Sequence, residues 1–164
     1  MSLIVKFDEV PEGTPVAIKN LLGGSILTKR VYGNEVNMMY ATRSPGYHSK
    51  AHTHDCEQLN WVVEGEMWIF IEREGYHLKK GDFMRVPRNV IHWAMVTGDT
   101  ECILLECHAP PNVKSAEVQK ISMGLYADGE VPDLSRASET IFLDGYEEYV
   151  RETELAIFGS EIKG

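Results

Sequence analysis

The stretch GYHSKAHTHDCEQLNWVVEG at residues 46–65 and a second stretch, GDFMRVPRNVIHWAMV at residues 81–96, decide how this chain folds. The first contains His52 and His54, separated by a single residue, and the second contains His92. Successive side chains of a β-strand point to opposite faces, so an H-x-H pair places both imidazoles on the same face, close enough to chelate an ion. The sequence therefore predicts a metal site formed by these histidines.

A bare H-x-H pair is more often surface decoration, and the surrounding pattern is what favours the metal site. The first stretch resembles the first signature motif of the cupin superfamily, in particular its small, single-domain, RmlC-like members. Gly46, His52, His54 and Gly65 fall on the spacing of that motif, and Gln58 stands where glutamate is usual.

The second stretch resembles the second cupin motif. Gly81, Pro87 and His92 match it, whereas Asn89 replaces its second glycine and Val96 replaces its asparagine. Asparagine tolerates left-handed backbone angles better than most non-glycine residues, so we expect the turn at Asn89 to be kept.

The resemblance implies an all-β fold, a double-stranded β-helix or jelly-roll barrel with a metal ion inside. We expect an N-terminal strand extension at residues 1–24, the barrel at 25–111, and a C-terminal extension at 112–164 that carries one or two helices and packs on the same domain. The implied cofactor is one divalent ion of iron, nickel, manganese, copper or zinc, and the sequence does not choose among them. The implied metal ligands are His52, His54, Gln58 and His92.

Gln58 is the departure that matters most for function. A glutamine ligand binds through its neutral carbonyl oxygen and leaves the full charge of the ion available to a substrate, unlike glutamate. Some small cupins similar to this stretch carry glutamine here, including the enzyme that linearises unsaturated uronates. Glu57 is a competing donor if a β-bulge turns it inward.

Further pocket residues follow from strand alternation. Asn60 shares the face of Gln58 and can be either a pocket residue near the metal or a tolerated polar residue at the barrel mouth. We also place Tyr40 and His48 among the possible pocket residues, whereas His77 and His108 are interpreted as structural or solvated. No catalytic residue is assigned. The candidates for a general acid or base are Glu57, Tyr40, Arg85 and Arg88.

Outside the two motifs the pattern is weaker. We predict a short strand at residues 3–7, a helix within 114–125 and a strand at 139–143. A final helix is expected to begin at a capping box formed by Asp144 and Glu147 and to stop at Gly159. Such a helix covers a sheet face or a dimer seam more often than a pocket.

Composition limits the possible partners. A net charge of −9 over 164 residues argues against a nucleic-acid partner, which needs a basic surface. No apolar run reaches the length of a membrane span, so no membrane partner is expected. The three cysteines cannot all pair with one another and form no C-x-x-C motif, which favours the cytoplasm. Exposed strand edges favour a homodimer.

Two kinds of reaction on a small organic substrate fit a neutral ligand set. The first is dioxygenase cleavage of an enol, diketone or phenolic compound, which needs few protein groups besides the metal ligands. The alternative is metal-assisted isomerisation, cyclisation or ring opening of a sugar acid or keto acid, which needs a general acid or base. A second alternative is a non-catalytic cupin that binds a small ligand.

Overall fold

The computed structural model describes residues 2–159, which form two mainly antiparallel sheets packed face to face. The strands are β1 (Glu12–Gly13), β2 (Leu21–Gly23), β3 (Ile26–Tyr32), β4 (Asn37–Arg43), β5 (His48–Ser49), β6 (His52–His54), β7 (Glu57–Glu64), β8 (Glu66–Ile71), β9 (Glu74–Lys79), β10 (Phe83–Val86), β11 (His92–Met95), β12 (Cys102–Ala109), β13 (Ser122–Gly124) and β14 (Thr140–Phe142). The helices are α1 (Ala116–Lys120) and α2 (Glu147–Phe158). The architecture is the expected jelly roll.

The first sheet has the order β1-β3-β4-β12-β7-β10, with β13 beside β3. The second has the order β14-β6-β11-β5-β2, with β8 beside β11 and β9 beside β8. The core lies between them. Ile26, Met39 and Val62 from the first sheet meet Met67 and Ile69 from the second, and all five are buried. This apolar layer fixes the register of both sheets, because a shift of one residue would move every core side chain to the outer face.

Two tight turns in the barrel depend on left-handed backbone angles. Gly65, between β7 and β8, has a φ of +77°, and a Cβ there would lie 2.4 Å from the carbonyl oxygen of Glu101. Asn89 has a φ of +60°, as expected for the residue that replaces the second glycine of the motif. Its backbone N–H donates to the carbonyl of His54, so this turn ties the two motifs together.

The N-terminal residues differ from the prediction. Residues 3–7 form no strand, and Phe7–Glu9 is instead a short 3₁₀ turn. The N-terminal strands are β1, which pairs with β3, and β2, which pairs with β5. Residues 3–7 are mainly apolar, but they pair with no strand, so their composition alone does not make them a strand.

The C-terminal extension packs on both sheets. β13 runs parallel to β3, β14 runs antiparallel to β6, and α2 covers the outer face of the second sheet. Trp93 is fully buried under α2 and donates from Nε1 to Glu154 Oε1 over 2.9 Å. The helix therefore covers a sheet face, as expected. None of the helices among residues 2–159 has the length and apolar character that crossing a bilayer requires.

The predicted start of α2 is wrong. Its N-cap is Tyr146, which makes no capping hydrogen bond through its side chain, and the helix begins at Glu147. Asp144 and Gly145 form a turn before it, in which Gly145 has a φ of +79°. This turn brings the chain off β14 and leaves Asp144 too early to cap the helix. The predicted stop is correct, since Gly159 closes the helix with a φ of +68°.

Candidate metal centre and substrate cavity

Three histidines converge between the two sheets. His52 and His54 lie on β6, and His92 lies directly opposite His52 on β11. The ring centroid of His92 is 4.2 Å from that of His52 and 4.7 Å from that of His54. Strand alternation and strand pairing are thus enough to bring the imidazoles together.

The backbone fixes the tautomer of each ring. Nδ1 of His52 lies 2.9 Å from the carbonyl oxygen of Lys50, and Nδ1 of His92 lies 3.0 Å from that of Val90. Nδ1 of His54 lies 3.0 Å from the carbonyl oxygen of Cys56 and 3.2 Å from its sulfur. A carbonyl oxygen can only accept, so each Nδ1 must carry the proton, and each neutral ring keeps its free lone pair on Nε2. Metal-binding histidines are held in the same way.

Gln58 faces the same point from β7. Its Oε1 lies 3.0 Å from His54 Nε2, and its Nε2 donates to Asn60 Oδ1 over 2.7 Å, which fixes the orientation of the amide. A carbonyl lone pair and an imidazole lone pair therefore face each other, which is unfavourable unless a proton or a cation lies between them. Two neighbouring ligands of one octahedral ion, each about 2.1 Å from it, lie about 3.0 Å apart.

The lone pair of His92 is also without a partner. His92 Nε2 is buried and makes no hydrogen bond within residues 2–159. No three His, Cys, Asp or Glu side chains in that range are arranged so that they could hold a metal ion as they stand. The fourth candidate donor, Gln58, is an amide and lies outside that set of residue types. The donor set, the fixed tautomers and the unpaired Nε2 fit a divalent cation.

Burial keeps His52, His92 and His108 neutral. It lowers the pKa of His52 to about 4, and the same burial, with the neighbouring histidines, holds the pKa of His92 well below its ordinary value. Burial and the nearby Arg30 likewise hold the pKa of His108 well below its ordinary value. Neutral rings are the form that binds metals, so the site is ready to bind one at neutral pH.

These lowered pKa values predict that the metal-free protein loses stability in mild acid. Histidines in the unfolded chain take up protons as the pH falls below about 6.5, whereas His52, His92 and His108 in the folded chain do not. The unfolded state then binds more protons, so the free energy of unfolding falls as the pH drops from about 6.5 towards 4. Each histidine contributes about 1.4 kcal/mol per pH unit in the lower part of this range.

Urea unfolding in the presence of a chelator, between pH 5 and pH 7.5, measures this slope. His108→Gln should reduce it by roughly a third if the three histidines contribute equally. His77→Gln, a change at an exposed position, should leave it as in the wild type. A free energy of unfolding that does not change across this range would contradict the prediction.

His108 belongs to the cavity, although the sequence suggested a structural or solvated residue. It is buried on β12, next to Gln58 across the strand pair, and its ring centroid lies 5.7 Å from that of His54. A signal was available, because His108 shares its face of the strand with Leu104 and Glu106, both of which point inward.

Two buried arginines, Arg30 and Arg43, lie on the same sheet as His108. The sequence analysis did not identify them. Arg30, Met39, Glu106 and Asn60 form one row across β3, β4, β12 and β7. Arg43, at the end of β4, reaches over to donate from Nη2 to Glu106 Oε1. The second sheet thus contributes the histidine pair and His92, and the first contributes an ionic wall opposite them.

The other candidate pocket residues lie elsewhere. Glu57 is partly exposed and pairs with Arg85 over 2.6 Å on the outer face, so no bulge turns it inward and Gln58 is the residue at the site. Tyr40 packs edge-on against Phe7 on the outer side of β4. His48 Nε2 lies 2.8 Å from Glu154 Oε1, under α2.

Asn60 does point inward, and it touches Gln58 rather than the cavity. The remaining candidate acid or base, Arg88, pairs with Asp55 at the surface. The four candidate acid–base residues of the sequence reading therefore lie outside the cavity lining, and His108 and Glu106 lie within it.

The cavity itself is small. Its volume is about 160 Å³, and apolar groups such as Met39, Val86 and Phe142 complete its lining. A cavity of about 150 Å³ holds one benzene ring, so the space suits a substrate of roughly that size. Residues of both extensions, including Val16 and Phe142, close its mouth, and Phe142 lies 5.2 Å from His52 between ring centroids.

Comparisons with known proteins agree with this architecture. The model of the Cupin domain family matches residues 39–108. A Thermotoga maritima protein described as a predicted oxalate decarboxylase superposes with a TM-score of 0.56 at 16% identity, with 65% of this chain and 98% of that chain covered. Residues 39–108 form a cupin domain. The matched residues of the cupin domain include all four residues that converge in the cavity, from His52 to His92.

Other solved structures are similar to smaller or larger parts of the chain. The polyketide cyclase RemF from Streptomyces resistomycificus has a TM-score of 0.56 at 15% identity, with 74% of this chain and 99% of that chain covered. An RmlC-like cupin from Shewanella frigidimarina has a TM-score of 0.49 at 27% identity, with 54% and 79% covered. No protein with a curated description matches the chain in sequence. The two structures with a TM-score of 0.56 support the fold and leave the reaction to be argued from the cavity.

Proposed function

We propose that this cupin is a metal-dependent enzyme that acts on a small organic substrate at a centre formed by His52, His54, Gln58 and His92. The observation that carries the proposal is the pair of facing lone pairs on Gln58 Oε1 and His54 Nε2, 3.0 Å apart, with a third lone pair unpaired on His92 Nε2. A cation satisfies all three at once, whereas a proton can satisfy only one contact. A structural role would not require a cavity beside these atoms.

The reaction that we put first is dioxygenase cleavage of an enol, diketone or phenolic compound. A divalent ion would polarise a substrate oxygen and, where the metal is redox-active, support reaction with dioxygen. His52, His54, Gln58 and His92 are all neutral and keep the charge of the ion available for an anionic substrate oxygen. Met39, Val86 and Phe142 give the cavity apolar walls that exclude water from the substrate.

One observation favours the alternative, an isomerase, cyclase or ring-opening enzyme acting on a sugar acid or keto acid. Such a reaction needs a group that moves a proton, and His108 lines the cavity close to Glu106. His108 Nε2 lies 3.9 Å from Glu106 Oε2, so a substrate atom beside the pair could be within reach of both groups for proton transfer. The third possibility is that the cavity binds a small ligand without catalysing a reaction.

Elemental analysis of the freshly purified protein, followed by oxygen-uptake assays against small enols and phenols, separates these possibilities. Near-stoichiometric iron, nickel, copper or manganese with substrate-dependent oxygen uptake supports the dioxygenase. Zinc, or nickel without oxygen uptake, would favour the isomerase, cyclase or ring-opening enzyme. Absence of metal in the wild type and in Gln58→Ala alike would contradict a metal enzyme and favour the binding protein.

We also propose that the protein forms a homodimer through the outer face of the first sheet. Trp61 and Phe83 stack with their ring centroids 6.0 Å apart on the outer face of the first sheet, and Leu59 beside them is also exposed. An exposed apolar strip of this kind on a sheet favours association with a second copy. Light scattering would show a single-chain mass if that prediction is wrong.

A further inference from the structure

Arg30 is a buried cation without a charged partner of its own. Its side chain is 4% exposed and lines the cavity. Nη1 donates to the carbonyl oxygen of Asn112 over 2.8 Å, and Nη2 lies 2.8 Å from the sulfur of Met39. Nε is buried and has no hydrogen-bond partner among residues 2–159. Burial lowers the pKa of Arg30 to about 10, so the guanidinium is still charged at neutral pH.

The nearest carboxylate is already engaged. Glu106 accepts from Arg43 Nη2, and Arg43 in turn keeps Nε and Nη1 without a hydrogen-bond partner among the described residues. The wall therefore holds two guanidinium groups against one carboxylate, a net charge of +1. The other carboxylate of the lining, Glu139, is exposed at the mouth, where water screens it. Buried polar groups left unpaired in this way are costly, so a missing partner is expected.

His108 adds a neutral donor to the same wall. Asn37 Oδ1 accepts from the backbone N–H of Asn112 over 2.7 Å, so Asn37 Nδ2 must be the atom that donates to His108 Nδ1 over 3.1 Å. The proton of neutral His108 is therefore on Nε2. This is the opposite tautomer to that of the three histidines facing it, which present lone pairs. The three histidines of the second sheet present lone pairs, whereas Arg30 and His108 of the first sheet present N–H donors.

We propose that the substrate of this enzyme is a small carboxylic acid whose carboxylate is bound by Arg30, with His108 Nε2–H as a second donor. The inference rests on the proposed function, because it assigns the substrate class of the same cavity. A carboxylate carries one negative charge and balances the net charge of the wall, whereas a phosphate group carries about two at neutral pH. The planar guanidinium matches a carboxylate in shape, and a volume of about 160 Å³ leaves room for one ring or a short chain beside it.

Calorimetric titration of the wild-type protein with benzoate and with benzamide tests the inference. The two probes have nearly the same shape and differ in charge. We expect benzoate to bind about tenfold more tightly or better, because hydrogen bonds to charged groups are the stronger ones. The preference should persist after the metal is stripped with a chelator, since Arg30 lies on the first sheet, opposite the three histidines. Equal affinity for the two probes in both forms would overturn the inference.

Three variants make the test specific. Arg30→Met keeps the length of the side chain without its charge and should lose the preference for benzoate while keeping the wild-type metal content. Arg30→Lys should retain part of the preference, and it serves as the working variant if Arg30→Met does not fold. Arg85→Met removes an exposed arginine that pairs with Glu57 and should behave as the wild type. An unchanged preference in the folded Arg30→Met protein would overturn the role of Arg30.

The same titrations distinguish failure of the inference from failure of the proposed function. A wild-type protein that holds no metal and still prefers benzoate would contradict the metal enzyme and support the carboxylate site. A protein that holds metal and shows no preference would support the metal centre and overturn the carboxylate site.

Discussion

Replacing Glu106 with leucine is expected to destabilise the folded protein by about 3–5 kcal/mol, a large part of the stability of a domain of this size. Glu106 is buried and is the carboxylate to which Arg43 donates. Burial by itself lowers the pKa of Arg43, but the charge and hydrogen bond of Glu106, with a smaller contribution from Tyr47, outweigh it and raise the pKa above its ordinary value. Without Glu106, Arg43 would be a buried cation with no counter-charge.

The double variant Arg43→Met/Glu106→Leu separates the cost of the lost pair from the cost of the stranded charge. It removes both charged groups and fills their space with apolar atoms, so we expect it to be more stable than Glu106→Leu alone. Urea unfolding of the metal-free proteins at neutral pH gives the three free energies. Equal losses in the single and double variants would mean that the stranded charge is not the cause.

An exposed ion pair of similar composition provides the matched control. Lys80 and Glu64 lie 2.7 Å apart, and both side chains are more than half exposed. Glu64→Leu should change the free energy of unfolding by less than about 1 kcal/mol, because water screens the pair and solvates the lysine that remains. The contrast between the two glutamate substitutions measures what burial adds.

Strand alternation explains why much of the site could be predicted from the sequence. The H-x-H pair had to share a face, and Gln58 and Asn60 had to share another, once their segments were assigned as strands. The left-handed turn at Asn89 followed from the same local reasoning, because it depends on the residue and its immediate neighbours. Features of this kind need no knowledge of the rest of the chain.

The ionic wall could have been found by the same argument and was not. Arg30 shares its face of β3 with Ile26 and Thr28, and Arg43 shares its face of β4 with Met39. Charged residues in a strand are usually exposed, so alternation alone does not identify these two as buried. Arg43 donates to Glu106, which comes from a strand more than sixty residues later, so the sequence around Arg43 does not reveal its burial.

The closure of the cavity was beyond local reasoning. Thr140 to Phe142 was correctly assigned to a strand, but its place beside β6, with Phe142 opposite His52, depends on a pairing across almost ninety residues. The same holds for residues 3–7, whose apolar composition favoured a strand although no partner strand lies beside them. Pairing partners are set by the whole fold, and a single segment does not encode them.

Replacing His92 with alanine is expected to lower the affinity for the divalent ion by more than about 100-fold, beyond the loss typical of a residue that only supports a ligand. His92 is the one proposed ligand that the second motif supplies, and its Nε2 has no hydrogen-bond partner within the described residues. The variant should therefore be purified with little or no metal. His52→Ala should behave in the same way, because it removes half of the H-x-H pair.

The stability of the His92→Ala variant carries the sharper result. A metal that binds only the folded state stabilises it by about 3–4 kcal/mol when the free ion is at 100 to 1,000 times its dissociation constant. Wild-type protein should therefore melt at a higher temperature with metal than with chelator, and the variant should melt at the same temperature in both. His77→Ala removes an exposed histidine and should keep the wild-type difference. If His92→Ala retains both stoichiometric metal and the metal-dependent increase in melting temperature, the ion binds elsewhere. Removing a true ligand should abolish metal binding and, with it, the increase in melting temperature.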